Sequence, residues 1–332
     1  MNEKFKVGID LFMDLKLYKI PQSEYERLQK KFTNVEFIPV NVKGNEDTPE
    51  DIDIYWGNRI TKEIIKKSKN LKWIHFGSVG VDKARTDEVT QRNITISNSK
   101  GLLAKPMAVT AVAMMTSLSR GIHHTIKMQE NKTLNRAEYD QYFYELQELY
   151  NQKVLIVGLG DVGKKIARVC KAFDMNVVGI KENIDQRIDN VDNICRLSEL
   201  ESVIGEADYV INILPLTNST ERVFNKTVLG NMKRSAFFIN IGRGETVDES
   251  SLIEVLLSKK IAGAALDVFE KEPLSMNSKL LEIDNVILMP HVAGVSEAYW
   301  KRQIEVFEYN LEMFLKKDCE SMINLVDLKK YL

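Results

Sequence analysis

Three residues in the second half of the chain have side chains suited to holding an anion and moving a proton. Each follows a short apolar run. Arg243 comes after Ala236–Asn240, Glu272 after Gly263–Val268, and His291 after Val286–Met289. If these runs are strands of an open parallel sheet, ligands bind beyond their carboxyl ends. Arg243, Glu272 and His291 then lie along one edge. A guanidinium stays charged and presents two parallel donors, and an imidazole changes charge near neutrality. Arg243 stands between Gly242 and Gly244 at its strand end, a setting that favours function over a solvated surface role. The other histidines read as structural. His75 ends a strand and packs there, while His123 and His124 follow a helix end at Gly121 and suit its C-terminal dipole.

The same edge carries a dinucleotide signal. Lys153-Val-Leu-Ile-Val-Gly158-Leu-Gly160-Asp-Val-Gly163 is an apolar strand running through G-x-G-x-x-G into a helix. Gly158 permits the tight turn, Gly160 lets backbone approach a pyrophosphate, and Gly163 lets helix and strand pack closely. The helix N-terminus offers free N–H groups and partial positive charge to the phosphates. A carboxylate about 20 residues further on marks NAD by accepting from the ribose 2′-OH. Here Val177–Ile180 ends in Lys181, with Glu182 next. A cation at that spot can pair with a 2′-phosphate, so NADP is favoured over NAD. The alternative is a solvated Lys181 with Glu182 taking the ribose.

Two series of elements are needed to position these groups. In the first hundred residues, Phe5–Ile9, Val35–Ile38, Ile52–Trp56, Leu71–Phe76 and Ile94–Ser97 read as strands. Pro21–Phe32 and Thr61–Ser68 read as helices. Such alternation predicts a parallel sheet with covering helices. A long helix, Lys105–Arg120, follows Gly101 and is closed by Gly121. The polar stretch 129–152, rich in Tyr and Glu, reads as a connecting excursion. A second series starts at Lys153, with strands Val154–Val157, Asn176–Ile180, Tyr209–Leu214, Ala236–Asn240, Gly263–Val268 and Val286–Met289. These make a six-stranded doubly wound sheet. In the tail, Arg302–Lys316 sets Ile304, Phe307, Leu311, Phe314 and Leu315 on one helical face. The first domain is the surface expected to cover that stripe.

Composition narrows the class. At 332 residues, two domains are the natural expectation. Apolar residues make up 44% and charged residues 28%, a globular rather than disordered balance. With 46 Lys plus Arg against 47 Asp plus Glu, overall positive charge cannot drive nucleic-acid binding. Cys170, Cys195 and Cys319 have no metal-ligand spacing, so neither a disulfide scaffold nor a metal site is expected. Three reduced thiols fit a cytoplasmic protein. The longest uncharged apolar stretch, Met107–Ser119, has thirteen residues, too few to span a bilayer at about 20. No signal-peptide core opens the chain.

Taken together, the segments Gly158–Gly163, Asn240–Asp248, Asp267–Pro273 and Pro290–Gly294 resemble the D-isomer-specific 2-hydroxyacid dehydrogenases, and they occur in that family's order. The stretch Leu71–Asp82 is similar to the family's loop for the substrate carboxylate. The resemblance implies an α/β fold of two doubly wound parallel-sheet domains, a Rossmann domain inserted in a flavodoxin-like substrate domain. The substrate domain would be 1–101 and 293–332. The NAD(P)-binding domain would be 102–292, with a dimerising arm at 105–150 and substrate held in the cleft between domains. It implies NAD(P)-dependent reduction of a small 2-oxo acid by an Arg–Glu–His set. Arg243 would bind the carboxylate and polarise the carbonyl, and His291 would protonate the carbonyl oxygen. Glu272 would hold the imidazole and favour its charged form; Glu270 competes, but the family places its carboxylate directly before the proline.

The backbone N–H groups of Val79 and Gly80 would complete the carboxylate cradle, and Trp56 would line the substrate pocket with Tyr55 and Gly57. Asp267 would sit near the nicotinamide carboxamide. Dinucleotide contacts would extend over Asp161, Val162, Lys181, Leu214, Pro215, Thr220, Ile241, Gly242, Arg243, His291 and Gly294 besides the three glycines. Arg59 and Arg85 are candidates for a substrate phosphate, with no fixed direction. The sequence runs about forty residues beyond His291, so the regulatory domain that some phosphoglycerate dehydrogenases carry is not expected. The expected assembly is a homodimer, with no membrane and no nucleic acid as partner. The rival from another class is a non-catalytic dinucleotide sensor on the same fold, and fold alone does not separate the two.

Overall fold

Strands buried on both faces need a covering layer on each side, and both sheets of this protein are built that way. The computed structural model describes residues 4–11, 19–40, 51–81, 84, 86–184 and 187–328. It divides into two compact units, Met1–Leu103 with Val295–Leu332, and Ala104–Gly294.

In the first unit, β1 (Phe5–Asp10), β2 (Val35–Pro39), β3 (Ile54–Gly57), β4 (Trp73–Phe76) and β5 (Thr95–Ser97) form a parallel sheet in the order β2-β1-β3-β4-β5. That is the flavodoxin-type order. Helices Gln22–Lys31, Lys62–Lys67 and Asp87–Gln91 connect the strands. Thr61 starts the second of them by accepting from the Ile64 amide at 3.2 Å. The tail folds back as helix Tyr299–Leu315, which buries Ile304, Phe307, Leu311 and Phe314. The sequence-predicted stripe therefore packs on the first sheet. Leu315 is only partly buried against the same cluster.

Trp56 requires a correction. Its indole is fully buried and stacks on Phe307 with ring centroids 3.7 Å apart and planes 8° apart. The ring expected in a substrate pocket is core, because the returning helix covers the face of β3 that carries it. Tyr55 is equally buried and donates its hydroxyl to Asp10 at 2.7 Å. Asp10 also takes the backbone and guanidinium of Arg59, so Arg59 has a fixed internal partner. Arg85 and Asp82 lie outside the described residues.

His75 on β4 is fully buried between Ser97 Oγ, 2.7 Å from Nδ1, and the Gln303 amide, 3.3 Å from Nε2. Burial lowers its pKa from 6.5 to about 3. The folded protein thus holds His75 neutral, while the unfolded chain binds a proton below pH 6.5. Its contribution to stability is complete above pH 6.5 and is lost as pH falls from there toward 3. His75→Gln should flatten the acid limb of a urea-denaturation stability profile by at most ~1.4 kcal/mol per pH unit. Parallel profiles for the two proteins would contradict a buried neutral His75.

The second unit holds β6 (Lys153–Val157), β7 (Asn176–Ile180), β8 (Asn193–Cys195), β9 (Tyr209–Asn212), β10 (Phe237–Asn240), β11 (Gly263–Leu266) and β12 (Val286–Leu288). Their order is β12-β11-β10-β9-β6-β7-β8, all parallel. The sheet has seven strands, not six. The unforeseen β8 is a three-residue edge strand whose apolar signal is Ile194 and Cys195 alone. Helix Asp161–Ala172 lies against helix Ala104–Ser119, and both bury small apolar residues such as Ala108, Ala111 and Ala167.

Gly121 also differs from expectation. It adopts φ +60° and opens a further helix, Ile122–Glu130. His123 and His124 therefore lie in the first turn of a new helix, while His123 Nδ1 still reaches the Ser117 carbonyl in the last turn of the preceding one, at 3.4 Å. His124 bonds Glu145 at 3.0 Å and stacks on Tyr142. Burial pushes His123 down to about 4, aided by the neighbouring His124. The excursion contains two more helical turns, Arg136–Tyr139 and Asp140–Glu145. Cys170 is buried and its thiol is pushed up to about 12 by desolvation, which makes it unreactive. All three cysteines are free.

Candidate active site

The carboxyl ends of β6, β9, β10, β11 and β12 carry the chemistry of the second unit. After β6 the chain turns at Gly158, whose φ is +114°, a value side chains rarely adopt. A Cβ on Gly163 would lie 2.3 Å from the Gly158 carbonyl oxygen, so the helix start can approach the strand only with glycine there. Gly160 is different, because a Cβ there would meet nothing within 4 Å. Internal packing does not demand that glycine. It leaves open space over the helix N-terminus, where the first four N–H groups have no intrahelical acceptor. This cradle fits a pyrophosphate.

The remaining predicted dinucleotide positions divide by accessibility. Asp161 is exposed on the first turn and Val162 is half-buried. Leu214 and Ile241 are buried, and the Leu214 amide is tied to Asn212 Oδ1 at 3.1 Å. Thr220 closes its own loop, donating to the Pro215 carbonyl at 2.6 Å and accepting from the Thr217 amide at 2.8 Å. Its hydroxyl is therefore already used. Lys181 directly follows β7, and its amide donates to the Cys195 carbonyl. Gly294 is half-buried at the end of the unit.

Glu272 Oε2 lies 2.7 Å from His291 Nδ1, and its Oε1 accepts from the Phe269 amide at 3.2 Å. The carboxylate is thus anchored at one oxygen and orients the imidazole with the other. An Nδ1–H donated to Glu272 leaves Nε2 as the working nitrogen. The imidazole is about half exposed (49%), so it can reach a ligand. Glu270, the competing carboxylate, is held elsewhere by Arg222 at 2.5 Å. His291 itself has φ +56°. Its amide donates to the Asp267 carbonyl at 2.8 Å, while the Asp267 carboxylate accepts from Val292 and Ala293 at 2.8 and 2.9 Å. Asp267 therefore fastens the turn that presents His291. Burial raises its pKa, and the two backbone donors act in the opposite direction.

Arg243 follows β10 in extended conformation and is half-buried, with Nη1 donating to the Gly242 carbonyl at 2.9 Å. Gly242 and Gly244 are needed on packing grounds. A Cβ on Gly242 would lie 2.8 Å from the Leu214 carbonyl oxygen, and one on Gly244 would lie 1.9 Å from that of Phe269. The Arg243 turn is thereby pressed against the loop whose Phe269 amide holds Glu272.

In the first unit, the loop after β4 carries Val79 and Gly80. The Val79 carbonyl accepts from Asn98 at 2.7 Å, and the Gly80 carbonyl from Ser78 at 3.0 Å. Among the described residues, the amides of Val79 and Gly80 donate to no protein acceptor. Two adjacent free N–H groups at a sheet's carboxyl edge can bind an oxyanion. No cluster of three or more His, Cys, Asp or Glu among the described residues is placed to hold a metal. No helix there is long and apolar enough to cross a membrane.

Residues 112–293 match the family model described as D-isomer specific 2-hydroxyacid dehydrogenase, NAD binding domain. A probable 2-ketogluconate reductase of Dictyostelium discoideum is 32% identical over 94% of this chain and 95% of its own length. A glyoxylate reductase of Thermofilum pendens is 32% identical over 82% of this chain and 80% of its own. The chain spans about half the length of the D-3-phosphoglycerate dehydrogenases it matches, 51% and 48% in two cases. Among solved structures, an NADPH-dependent glyoxylate/hydroxypyruvate reductase from Sinorhizobium meliloti, in complex with NADP and malonate, superposes with a TM-score of 0.80. It covers 99% of this chain and 98% of its own at 23% identity, a likeness of fold.

Proposed function

This chain belongs to the D-isomer specific 2-hydroxyacid dehydrogenase family, and we propose that it reduces a small 2-oxo acid to the D-2-hydroxy acid with NADPH or NADH. The observation that carries this reading is the Glu272–His291 hydrogen bond of 2.7 Å, an oriented and accessible imidazole at a strand end. Bound at the Gly158–Gly163 cradle, the dinucleotide supplies the hydride. His291 Nε2 donates a proton to the carbonyl oxygen as it gains charge and takes it back in oxidation. Arg243 holds the carboxylate and polarises the carbonyl. We infer a short or polyhydroxylated 2-oxo acid as the substrate; the names of two relatives, a 2-ketogluconate reductase and a glyoxylate reductase, support this reading.

The functional assembly we infer is a cytoplasmic homodimer joined through the arm, with 1–101 and 293–332 as the substrate domain. Support comes from apolar side chains left in water on the arm, Val109, Phe143 and Tyr144, which are 69%, 63% and 94% exposed. The three free thiols suit a reducing compartment.

Following absorbance at 340 nm with glyoxylate, hydroxypyruvate, pyruvate and 2-oxoisocaproate tests the reductase reading. Turnover with at least one acid is expected, fastest with NADPH. Tight dinucleotide binding without turnover of any acid would move the protein to the sensor class. The preference for NADPH rests on Lys181 at the end of β7. Lys181→Asp should shift the NADPH/NADH ratio of kcat/KM toward NADH by about tenfold or more, the loss of one charge-assisted contact. An unchanged ratio would remove Lys181 from cofactor selection.

A further inference from the structure

The run Tyr209–Asn212 is apolar except for its last residue, and so is Phe237–Asn240. The two asparagines are paired residues on neighbouring parallel strands, Asn212 opposite Asn240. Both side chains are buried, at 0% and 1% exposure, and beside them Thr246 is buried at 0%. Polar groups this deep are costly unless every one is bonded.

Here each side-chain oxygen and nitrogen of the three residues has at least one partner. The Asn212 amide donates to Asn240 Oδ1 at 3.0 Å and to Thr246 Oγ1 at 2.7 Å. Asn212 Oδ1 accepts from the Leu214 amide, and Asn240 Oδ1 from the Gly242 amide, each at 3.1 Å. The Thr246 hydroxyl donates to the Arg243 carbonyl oxygen at 2.6 Å, and the Asn240 amide reaches the same oxygen at 3.4 Å. Every path out of the network ends on backbone of one of two loops. One is the loop after β9, which carries Leu214. The other is the turn after β10, which carries Gly242 and Arg243.

Apolar side chains of similar volume would fill this space without such constraints, and replacing buried polar groups by apolar ones is often neutral for stability. A network in which each of these atoms is bonded instead favours one arrangement. We propose that Asn212, Asn240 and Thr246 are positioning residues for Arg243, holding its main chain so that the guanidinium is in place before the 2-oxo acid arrives. This inference rests on the assignment of the substrate carboxylate to Arg243. A guanidinium displaced by about 1 Å can cost about a hundredfold in rate.

Thr246→Val removes one hydroxyl at constant shape and leaves the Arg243 carbonyl with two longer bonds only, from the Asn240 side-chain amide at 3.4 Å and the Thr246 backbone amide at 3.3 Å. It should lower kcat/KM for the 2-oxo acid about tenfold or more, with KM raised and kcat lowered. Thr246→Ser, which keeps the hydroxyl, should restore most of the loss. The dissociation constant for NADPH, read by fluorescence titration, should stay within about twofold. In a double-mutant cycle with Arg243→Ala, the Thr246→Val effect should vanish, because there is no guanidinium left to misplace. Asn212→Leu repeats the test from the other end of the network should Thr246→Val fold poorly.

Wild-type kinetics in Thr246→Val and Asn212→Leu beside an impaired Arg243→Ala would overturn the positioning role alone. An equal loss from Thr246→Val with and without the Arg243 guanidinium would also overturn it. A kinetically silent Arg243→Ala would instead overturn the assignment of Arg243 itself.

Discussion

His291→Gln should lower kcat for reduction of the best 2-oxo acid by about a hundredfold or more while leaving NADPH affinity unchanged. General acid catalysis by a positioned side chain contributes about 10²–10⁴ in rate, and glutamine cannot deliver a proton. Glutamine keeps a donor that Glu272 Oε2, now 2.7 Å from Nδ1, can hold. The turn itself should survive, because it is fastened by the Asp267 carboxylate to the Val292 and Ala293 amides and not by the imidazole. The test is steady-state kinetics at 340 nm with a parallel fluorescence titration of NADPH. A kcat within about threefold of wild type would remove His291 from proton transfer. A lost NADPH affinity would mean that the imidazole serves the cofactor instead.

Arg243→Ala should damage both parameters. Loss of a hydrogen bond to a charged group costs about 1.5–3 kcal/mol, so KM for the 2-oxo acid should rise about 10- to 100-fold. The same guanidinium faces the carbonyl as negative charge grows on its oxygen, and removing such a donor costs about 10²–10³ in kcat. Among the described residues the half-buried side chain makes one hydrogen bond, from Nη1 to the Gly242 carbonyl, so its loss should leave the fold intact. Circular dichroism serves as the control for folding. A raised KM with unchanged kcat would mean uniform binding only, and the polarising role would then be withdrawn.

What the sequence conveyed and what it hid differ for physical reasons. Strong alternation made eleven of the twelve strands and the two parallel sheets readable, and G-x-G-x-x-G marked the cradle because turn, approach and packing each demand glycine. Strand β8 was hidden because three residues at a sheet edge carry too little apolar pattern. Gly121 reads as a stop, yet its left-handed conformation starts another helix, and sequence does not distinguish a helix end from a kink between two helices. Trp56 was misplaced because an aromatic at a strand end looks the same whether it faces ligand or core. Its partner Phe307 lies far away in the sequence, on the returning helix. Glu272 was separable from Glu270 by resemblance alone, and the structure shows the two carboxylates held by different partners.

The Asn212–Asn240–Thr246 network went unread, although a polar residue closing each of two apolar runs was a visible signal. Pairing of the two runs is nonlocal and could not be seen along the chain.

The most direct measurement is the chirality of the product. The protein would be incubated with hydroxypyruvate and NADPH, and the glycerate separated on a chiral column against both enantiomers. Formation of D-glycerate in step with NADPH consumption, and its loss in His291→Gln, is the result predicted here. L-glycerate, or NADPH consumption without any hydroxy acid formed, would contradict the proposed reduction and the roles given to Arg243, Glu272 and His291.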